Sequence, residues 1–416
     1  MNIMFSRVGN LSGGRAVPAL LLVLALGLLA VHAPARASDS FQTCLASLQR
    51  EARQQGISKQ VVENDLGSAS HNQRVIELDR SQPEFTTTFA TYFDHRVTQE
   101  RVDRGRKLLK KHHELLEHIY RQYGVPPRYL VAFWGLETNY GAFFGGVPVL
   151  DSLTTLACDT RRSDYFTGQL MDALHILDEG SVTPDRMLGS WAGAMGNVQF
   201  MPSAFRKYAV DEDGDGRRDL WGSLPDAMAS AANFLKHLGW KKGWRWGREV
   251  QLPKGFPYAK AGLDHERPLS AWKKLDVRDA YGRPLHAADI KAALLVPSGH
   301  RGPAFLVYHN FKVIMGWNQS EFYALAVGRL ADRLAGAASL RNPPPKDEPR
   351  LSRDNVIALQ KRLKSRGFDA GPTDGIPGPQ TRDAIRSFQQ AHGMIADGFA
   401  SRAVLAKLDI HVDRGS

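Results

Sequence analysis

The chain has 416 residues, a formal net charge of +11 and a hydrophobic fraction of 43%. This length predicts two or three domains, with a core large enough not to depend on disulfide bonds. The excess of basic residues favours anionic surroundings. Because the amino terminus also predicts export, those surroundings are an anionic cell wall or membrane surface, and nucleic acid is excluded as a partner.

Residues 1–37 have the pattern of a secretory signal peptide. Arg7 and Arg15 precede an apolar run, Pro18–Val31, and the tripeptide Ala35–Ala37 places small residues where a signal peptidase cleaves. The run is shorter than the ~20 apolar residues that a membrane span needs, so cleavage is favoured over a retained anchor. Three arginines and no acid lie in this segment, and its removal lowers the net charge from +11 to +8. The mature form is predicted to have no transmembrane anchor.

The two cysteines, Cys44 and Cys158, both fall in the mature part of the chain. An exported protein folds in an oxidising compartment, where cysteines pair. We therefore predict one disulfide that ties the amino-terminal segment to the core. The alternative is a pair of buried free thiols.

Residues 38 to about 240 predict mainly helices. In Arg101–Gly124 the leucines recur at helical spacing, and the final glycine suits the position after a helix end. The next helix is predicted to begin at the Pro126-Pro127 pair. Its residues are apolar on nearly all sides, so we expect this helix to be buried, with Glu137 at its carboxyl end.

A strand-containing insertion is predicted at about 246–316, where apolar and β-branched residues alternate among proline and glycine. The runs concerned are VQLP, AALLVPSG and AFLVYHNFKVIM. The helical pattern returns in NQSEFYALAVGRLADRL, which completes a unit at 38–334. A charged, proline-rich linker at 335–350 then marks the clearest domain boundary. The predicted fold class is therefore mainly α (α+β).

The last segment, 351–410, predicts a small three-helix module. Its helices are expected at Asn355–Lys364, Pro379–Ala391 and Ser401–Leu408. An Asp-Gly turn precedes each of the last two helices, at Asp374 and at Asp397, and forms a weak internal repeat. A domain of this size can form a core but cannot enclose an active site, which favours a surface-binding module.

One carboxylate stands out in the stretch AFWGLETNYG, where Glu137 lies among Phe133, Trp134 and Tyr140. Burial against aromatic rings disfavours the charged form of a carboxyl group and raises its pKa. A raised pKa suits a general acid that works near neutral pH. The alternative is an inert, half-exposed glutamate at a helix end.

A second stretch, Gly189–Phe205, places polar side chains in a tight, glycine-rich and apolar setting. Ser190, Asn197 and Gln199 need hydrogen-bond partners if they are buried, and the hydroxyl groups of a sugar would supply them. The alternative is a glycine-rich junction between helices that has no ligand.

An acidic loop in Val210–Ala227 matches the first half of a calcium-binding EF-hand loop. Gly222 stands where that loop has its closing bidentate acid, so a longer loop closed by a later aspartate is required. The predicted ligands are Asp211, Asp213, Asp215, the carbonyl of Arg217, and Asp226. A calcium ion here would be structural, and the alternative is a solvated acidic turn. No organic cofactor is predicted.

Together and in this order, these motifs resemble the lytic murein transglycosylases of the MltB type, a family with a lysozyme-like catalytic core. The matching stretches cover most of residues 41–334. They are GLETNYG at Gly135–Gly141, RRSDYF at Arg161–Phe166, AGAMGNVQFMPS at Ala192–Ser203, the acidic loop with LW at Asp211–Trp221, ANFLKHLGW at Ala232–Trp240 and WNQSEFYALAV at Trp317–Val327. The terminal module resembles the small peptidoglycan-binding domain family across nearly its whole length.

The resemblance implies that Glu137 is a single acid/base that cleaves the β-1,4 bond between N-acetylmuramic acid and N-acetylglucosamine and leaves a 1,6-anhydro end. It implies glycan strands of peptidoglycan as the partner, the periplasm as the location, and wall targeting as the role of the terminal module. The side chains expected to contact the glycan are Tyr140, Ser190, Gln199, Trp317 and Asn318. The family more often has tyrosine where Trp317 stands.

Most glycosidases use two carboxylates, and no second candidate stands out here. Asp151 fits a helix cap, and Asp164 follows two arginines that could pair with it. A single acid fits a reaction that needs neither a protein nucleophile nor an activated water. A hydrolytic muramidase that cleaves the same bond is the main alternative. A non-catalytic wall-binding protein and a calcium-sensing switch are the others.

Overall fold

Helices make up most of the computed structural model, which describes residues 35–81 and 87–412. The predicted signal peptide, residues 1–37, lies almost wholly outside the described residues. The helices before the sheet are α1 (Ala35–Gln54), α2 (Gln73–Ser81), α3 (Phe89–Arg96), α4 (Gln99–Lys111), α5 (His113–Tyr123), α6 (Pro127–Thr138), α7 (Val149–Ala157), α8 (Ser163–Asp178), α9 (Pro202–Tyr208) and α10 (Leu224–His237). None of the helices in the described ranges is long and apolar enough to cross a lipid bilayer.

Helix α6 is central to the larger unit because its sequence is apolar on every side. Pro127 occupies its first turn, where a missing N–H has no helical partner to lose. Residues 129–136 are all buried, and the helix packs against α4. It ends at Asn139, which takes a left-handed conformation with a φ of 49°. The burial of α6 therefore fixes Glu137, in its last turn, at the edge of the core.

The predicted helix at Arg101–Gly124 is two helices in the structure, α4 and α5. The break falls at His112, whose φ is −107°. The break allows each half to bury its apolar face against a different partner, since α4 packs against α6 and α5 packs against α10. Gly124 ends α5 in a left-handed conformation with a φ of 77°, as the sequence predicts.

The predicted disulfide is present. The sulfur atoms of Cys44 and Cys158 are bonded at 2.05 Å, and the bond joins α1 to the end of α7. Phe41 and Leu45 of α1 are each 5% exposed and belong to the main hydrophobic core. The amino-terminal helix is thus held to the core both by apolar packing and by a covalent bond.

A two-residue ladder joins β1 (Val147–Pro148) to β2 (Leu188–Gly189), and the predicted insertion forms a larger antiparallel sheet. Its elements are β3 (Gly247–Gln251), β4 (Gly262–Pro268), α11 (Leu269–Lys274), β5 (Arg278–Asp279), β6 (Lys291–Leu295) and β7 (Ala304–Val307). The strand order is β4-β6-β7-β3-β5. Trp272 of α11 is fully buried in a separate small core against this sheet.

The run HNFKVIM forms helix α12 (His309–Trp317) rather than the predicted strand. The side-chain amide of Asn310 bonds to the loop before β3 and fixes the start of the helix. Phe311 and Ile314 are buried together, a spacing of three that a helix satisfies. Helix α13 (Glu321–Leu334) follows and packs against α6. The turn between α12 and α13 consequently lies beside the end of α6.

Residues 335–350, which we call the strap, contain no helix or strand, as expected for the linker that the sequence predicts. The strap nevertheless lies against the larger unit instead of hanging free. Glu249 of β3 accepts the backbone N–H of Arg341 at 2.9 Å. Arg301 donates two hydrogen bonds to Asp347, at 3.0 and 2.8 Å. The strap therefore helps to fix the position of the terminal module.

The terminal module is helical, as predicted. Its helices are α14 (Arg353–Ser365), α15 (Pro379–Ala391) and α16 (Arg402–Lys407). Ser352 and Asn355 form a reciprocal capping box at the start of α14, which satisfies two N–H groups of the helix end. The module has a hydrophobic core of its own, whose most buried members include Leu359, Leu363, Phe388, Val404 and Leu408.

Candidate active site

Glu137 lies in the last turn of α6, and two residues from a distant part of the sequence bond to its carboxylate. The indole Nε1 of Trp317, at the end of α12, donates to Glu137 Oε1 at 3.0 Å. The hydroxyl of Tyr323, in the first turn of α13, donates to the same oxygen. These partners are 180 and 186 residues away in the sequence. The fold thus supplies partners that the stretch AFWGLETNYG does not contain.

Burial sets the proton affinity of this carboxyl group. It raises the pKa of Glu137 and outweighs the hydrogen bond from Tyr323, the charge of Arg96 and the hydrogen bond from Trp317, all of which lower the pKa. The pKa of Tyr323 lies well above its ordinary value because the phenol is buried beside the charge of Glu137. Tyr323 therefore keeps its proton and acts as a donor, and Glu137 holds its proton at a higher pH than an exposed glutamate does.

Both donors converge on one oxygen of the carboxyl group. Among the residues that the structure describes, no hydrogen bond reaches Glu137 Oε2. An indole N–H can only donate, and the Tyr323 hydroxyl is committed as a donor, so Oε1 acts as an acceptor in both protonation states. The acid proton is then carried on Oε2. This oxygen is the one free to give a proton to a bound molecule and to take one back.

The ring of Trp317 is half-buried among phenylalanines. Its centroid lies 4.5 Å from that of Phe133, 5.3 Å from that of Phe200 and 5.2 Å from that of Phe234. These contacts fix the indole in the orientation that directs its N–H to Glu137. The structure thus gives Trp317 a role beside the carboxylate that the sequence analysis, which predicted a sugar contact, did not anticipate.

Ser190, Gln199 and Asn318 are half-buried, and each uses part of its side chain to hold a turn. Ser190 Oγ accepts two N–H groups of its own turn, at 3.0 and 3.3 Å. Gln199 Nε2 donates to the carbonyl of Phe144 at 2.9 Å, and Asn318 Oδ1 accepts the N–H two residues later at 3.1 Å. Within the described part of the chain, three groups keep no hydrogen-bond partner: the Ser190 hydroxyl proton, Gln199 Oε1 and Asn318 Nδ2.

Asn197, which the sequence suggested for sugar hydroxyls, is buried and bonded within the protein. Its Oδ1 accepts the indole N–H of Trp134 at 2.8 Å, and its Nδ2 donates to the carbonyl of Leu220 at 3.0 Å. Thr138 Oγ1 donates to the Asn197 carbonyl at 2.9 Å. These bonds fasten the glycine-rich stretch to the end of the helix that carries Glu137.

Tyr140 does not present its ring to a ligand, contrary to the prediction. Its side chain is only 4% exposed, and its hydroxyl donates to the carbonyl of Arg101 at 2.7 Å. The ring packs on Gly135, where an added Cβ would lie 2.6 Å from it. Tyr140 therefore holds α4 against α6. A pattern of one tyrosine between glycines does not distinguish this role from a ligand contact.

The two other carboxylates weighed as catalytic partners are bonded elsewhere. Asp151 lies inside the first turn of α7 rather than before it, and its Oδ1 accepts a backbone N–H from the segment before α2 at 2.9 Å. Asp164 lines a cleft that also borders Cys44 of the disulfide, and the two arginines before it pair with Asp79 instead. Neither of them hydrogen-bonds to Glu137, whose two partners are neutral donors.

The acidic loop brings three of its predicted ligands together. Carboxylate oxygens of Asp211, Asp213 and Asp226 lie within 4.8 Å of one another. Asp226 is fully buried and accepts three backbone N–H groups, and its pKa is raised chiefly by burial, with the charge of Asp213 adding to the effect. Such a set of oxygens suits Ca²⁺ and would otherwise repel one another. Asp215 is not part of this cluster, and its Oδ1 accepts the N–H of Arg217 at 2.9 Å.

Tyr323 is the member of the site that the sequence analysis did not single out. The pattern NQSEFYALAVGRLADRL predicted a helix here but gave no reason to connect Tyr323 with Glu137. One signal was available: Ser320 caps the helix by accepting the N–H of Tyr323 at 3.3 Å. A serine three residues before a tyrosine places that tyrosine in the first turn of a helix.

Two family models match the chain. The model described as transglycosylase SLT domain matches residues 40–332, and the model described as putative peptidoglycan binding domain matches residues 352–408. Membrane-bound lytic murein transglycosylase B of Escherichia coli (strain K12) is 31% identical over 311 residues, which span 67% of this chain and 79% of that protein.

Solved structures with the same fold include SltB3 from Pseudomonas aeruginosa in complex with NAG-anhNAM-pentapeptide. It matches with a TM-score of 0.86 and 44% identity over 89% of this chain and 99% of its own. The Escherichia coli lytic transglycosylase Slt35 in complex with calcium matches with a TM-score of 0.60 and 30% identity, over 71% of this chain and 92% of its own. The first match covers more of this chain than the second.

Proposed function

The chain belongs to the transglycosylase family defined by the SLT domain, and from this premise we propose that it cleaves the β-1,4 bond between N-acetylmuramic acid and N-acetylglucosamine and leaves a 1,6-anhydromuramic acid end. Like its relatives, the protein is a peptidoglycan lytic transglycosylase. The finer proposal depends on one observation. Glu137 is a carboxyl group of raised pKa with one oxygen held by two neutral donors and the other oxygen free.

Glu137 acts first as an acid. The proton on Oε2 passes to the glycosidic oxygen, the bond from that oxygen to C1 of the muramic acid breaks, and N-acetylglucosamine leaves as an alcohol. The raised pKa keeps this proton available at a higher pH than in an exposed glutamate. As negative charge appears on Glu137, the N–H of Trp317 and the O–H of Tyr323 stabilise it through Oε1.

Glu137 then acts as a base. The 6-hydroxyl of the same muramic acid gives its proton to Oε2 while its oxygen bonds to C1 and closes the anhydro ring. Glu137 is protonated again at the end, so the step balances and consumes no water. A reaction of this kind needs one carboxyl group, which agrees with the neutral partners found around Glu137.

The glycan strand is proposed to be bound by side chains of two turns near the carboxylate. The free polar groups of Ser190, Gln199 and Asn318 support this assignment, because sugar hydroxyls and acetamido groups can satisfy donors and acceptors of both kinds. Trp317 is assigned to orient Glu137 as well as to border the bound sugar.

A calcium ion is proposed to be held by Asp211, Asp213 and Asp226. The grouping of their carboxylates supports this, as does the calcium complex of the related Slt35. The ion would neutralise these charges and order the loop that precedes α10. Its contribution is structural, and Glu137 chemistry does not depend on it directly.

The protein is proposed to act in the periplasm, with its terminal module bound to the wall. The predicted signal peptide, the basic charge and the disulfide support export. The match of residues 352–408 to a peptidoglycan-binding family supports wall binding.

Mass spectrometry of the products tests the reaction. Digestion of purified sacculi should release muropeptides with 1,6-anhydro ends, and Glu137→Gln should release none. Products that carry reducing ends would identify a hydrolytic muramidase instead. Undiminished product from Glu137→Gln would remove Glu137 from the catalytic role.

A further inference from the structure

The terminal module contains two turns that are built in the same way, one in each of its internal repeats. In the first, Gln360 Nε2 donates to Asp374 Oδ1 at 3.1 Å, and Gln360 Oε1 accepts the N–H of the next glycine at 3.0 Å. In the second, Gln389 makes the same two bonds, to Asp397 Oδ1 at 2.7 Å and to the glycine N–H at 2.8 Å. Each aspartate Oδ1 also accepts the N–H two residues later, at 2.9 Å.

Each turn is accompanied by an arginine near the start of the preceding helix. Arg353 in α14 and Arg382 in α15 each stand seven residues before the glutamine of their repeat. Their carbonyls approach the glycine of the turn equally closely, since an added Cβ there would lie 3.1 Å from the first and 3.0 Å from the second. By backbone position Arg353 and Asp374 therefore correspond to Arg382 and Asp397, although the side chain that lies over the turn glycine is that of Arg353 in the first repeat and that of Arg386 in the second.

The second pair binds the catalytic unit. Arg382 Nη2 lies 3.2 Å from a carboxylate oxygen of Glu321, at the start of α13. Asp397 Oδ2 accepts the backbone N–H of His300 at 2.9 Å and lies 2.5 Å from its Nδ1. The pair thus takes a carboxylate on its arginine and a nitrogen donor on its aspartate. This contact shows which chemistry such a pair recognises.

The first pair faces outward. Arg353 is exposed, and within the described residues its guanidinium forms no ion pair or hydrogen bond. The Gln360 side chain and the following N–H engage only Oδ1 of Asp374, so its Oδ2 keeps no partner in that part of the chain. Asp374 is half-buried and held in place through Oδ1, whereas the Arg353 side chain is exposed and, in the described chain, unbonded, so both residues keep groups free for a ligand.

We propose that Arg353 and Asp374 form a subsite for the stem peptide of peptidoglycan. The Arg353 guanidinium binds a peptide carboxylate, as Arg382 binds the carboxylate of Glu321. Asp374 Oδ2 accepts an amide or ammonium N–H, as Asp397 Oδ2 accepts the backbone N–H of His300. The proposal rests on the proposed function, because it requires that the module meets peptidoglycan. Charge selects the peptide over the sugar chain: the stem peptide presents carboxylates and N–H donors close together, whereas the sugars present chiefly hydroxyl groups.

Binding of a soluble stem peptide to the full-length protein, measured by titration calorimetry, tests this subsite. The double variant Arg353→Gln/Asp374→Asn removes both charges, and the asparagine keeps the Oδ1 acceptor that holds the turn. A matched control, Lys364→Gln/Asp354→Asn, changes the same two kinds of charge on exposed positions of α14. We expect at least ~10-fold weaker peptide binding in the first variant and no change in the control. Glycan chains stripped of peptides serve as the second ligand.

Three results would overturn the subsite. They are no binding of the peptide by the unaltered protein, equal losses in both double variants, or a loss confined to the stripped glycan chains. Anhydro-end formation on short soluble glycans is measured in parallel and should be the same in all three proteins. Because that readout depends on Glu137 and not on the module, failure of the subsite and failure of the proposed reaction give different results.

Discussion

The indole Nε1 of Trp317 lies 3.0 Å from Glu137 Oε1 and gives the carboxylate a donor that cannot itself take up a proton. A tyrosine at this position would offer a hydroxyl group that both donates and accepts. The indole removes that ambiguity, so the two protonation states of Glu137 differ only at Oε2. This separation of a fixed oxygen from a reactive oxygen is the feature on which the first prediction depends.

Trp317→Phe keeps an aromatic ring among the phenylalanines and removes the donor. The carboxylate form of Glu137 then loses a stabilising hydrogen bond that lowers its pKa, so the pKa of Glu137 rises further. The alkaline limb of the pH profile of kcat/KM reports loss of the acid form, and it should move to higher pH. Trp244→Phe, at a half-buried tryptophan beside His309, is the control, and an equal shift there would contradict the assignment.

Glu137→Gln should stabilise the fold at neutral pH while it removes activity. Burial raises the pKa of Glu137 in the folded state above its unfolded value. The contribution of Glu137 to the free energy of unfolding is fully present below the pKa that this group has in the unfolded chain. It is lost as the pH rises through the pKa that the group has in the folded protein. Glutamine does not undergo this loss. The free energy of unfolding of the variant should exceed that of the unaltered protein at neutral pH, and the two should converge below about pH 4.

Urea denaturation at a series of pH values measures this difference. Glu114→Gln, at an exposed position of α5, should show no comparable divergence with pH. If the free energy of unfolding of the unaltered protein instead increases relative to that of Glu137→Gln as the pH rises, the hydrogen bonds from Trp317 and Tyr323 outweigh burial and the pKa of Glu137 is lowered.

Calcium should raise the melting temperature through the cluster of Asp211, Asp213 and Asp226. An ion at a hundred times its dissociation constant adds about 2.7 kcal/mol to the free energy of unfolding, which is a shift of a few degrees. Asp213→Asn should abolish the shift, and a chelator should reverse it. Asp264→Asn, an exposed aspartate of β4, should respond to calcium like the unaltered protein. A shift that survives Asp213→Asn would place the ion elsewhere.

Gly135→Ala should destabilise the protein and lower its activity, because the new methyl would lie 2.6 Å from the ring of Tyr140. That ring is held by its bond to the Arg101 carbonyl, so the strain passes to α6 and to Glu137. We expect a loss of about 1–3 kcal/mol in the free energy of unfolding.

Gly168→Ala is the matched control for this overpacking. Gly168 lies within α8, and an added Cβ there meets no atom within 4 Å. Alanine is the better helix former, so this variant should gain about 0.5–1 kcal/mol. Equal responses of the two glycines in thermal or chemical unfolding would contradict the role assigned to Tyr140.

The sequence predicted the helical class, the strand-containing insertion and the helical terminal module because each depends on local apolar periodicity and on the glycines and prolines that end helices and strands. Gly124 marked a helix end correctly for the same reason. The error at His309–Trp317 has a physical cause. A short apolar run of mixed β-branched and aromatic residues fits the periodicity of a helix and that of a strand. Only the hydrogen bonds of the Asn310 side chain decide between the two.

The site could be predicted only in part. Glu137 stood out because a charge among aromatic residues requires an explanation from its own neighbours. Trp317 and Tyr323 could not be connected to it from the chain, since the contacts span 180 and 186 residues and depend on how α12 and α13 meet α6. Tyr140 shows the opposite failure: its local setting fits a ligand contact, but its hydroxyl is committed to a backbone carbonyl.

The strap of residues 335–350 alters how the terminal module should be understood. A module on a free tether raises the local concentration of an enzyme near every bond within reach. Here the strap, together with the contacts of Arg382 and Asp397, holds the module in one orientation to the catalytic unit. With the module bound to the wall as proposed, a body of this kind would hold Glu137 at one fixed distance from the point of attachment, whereas a free tether would let that distance vary.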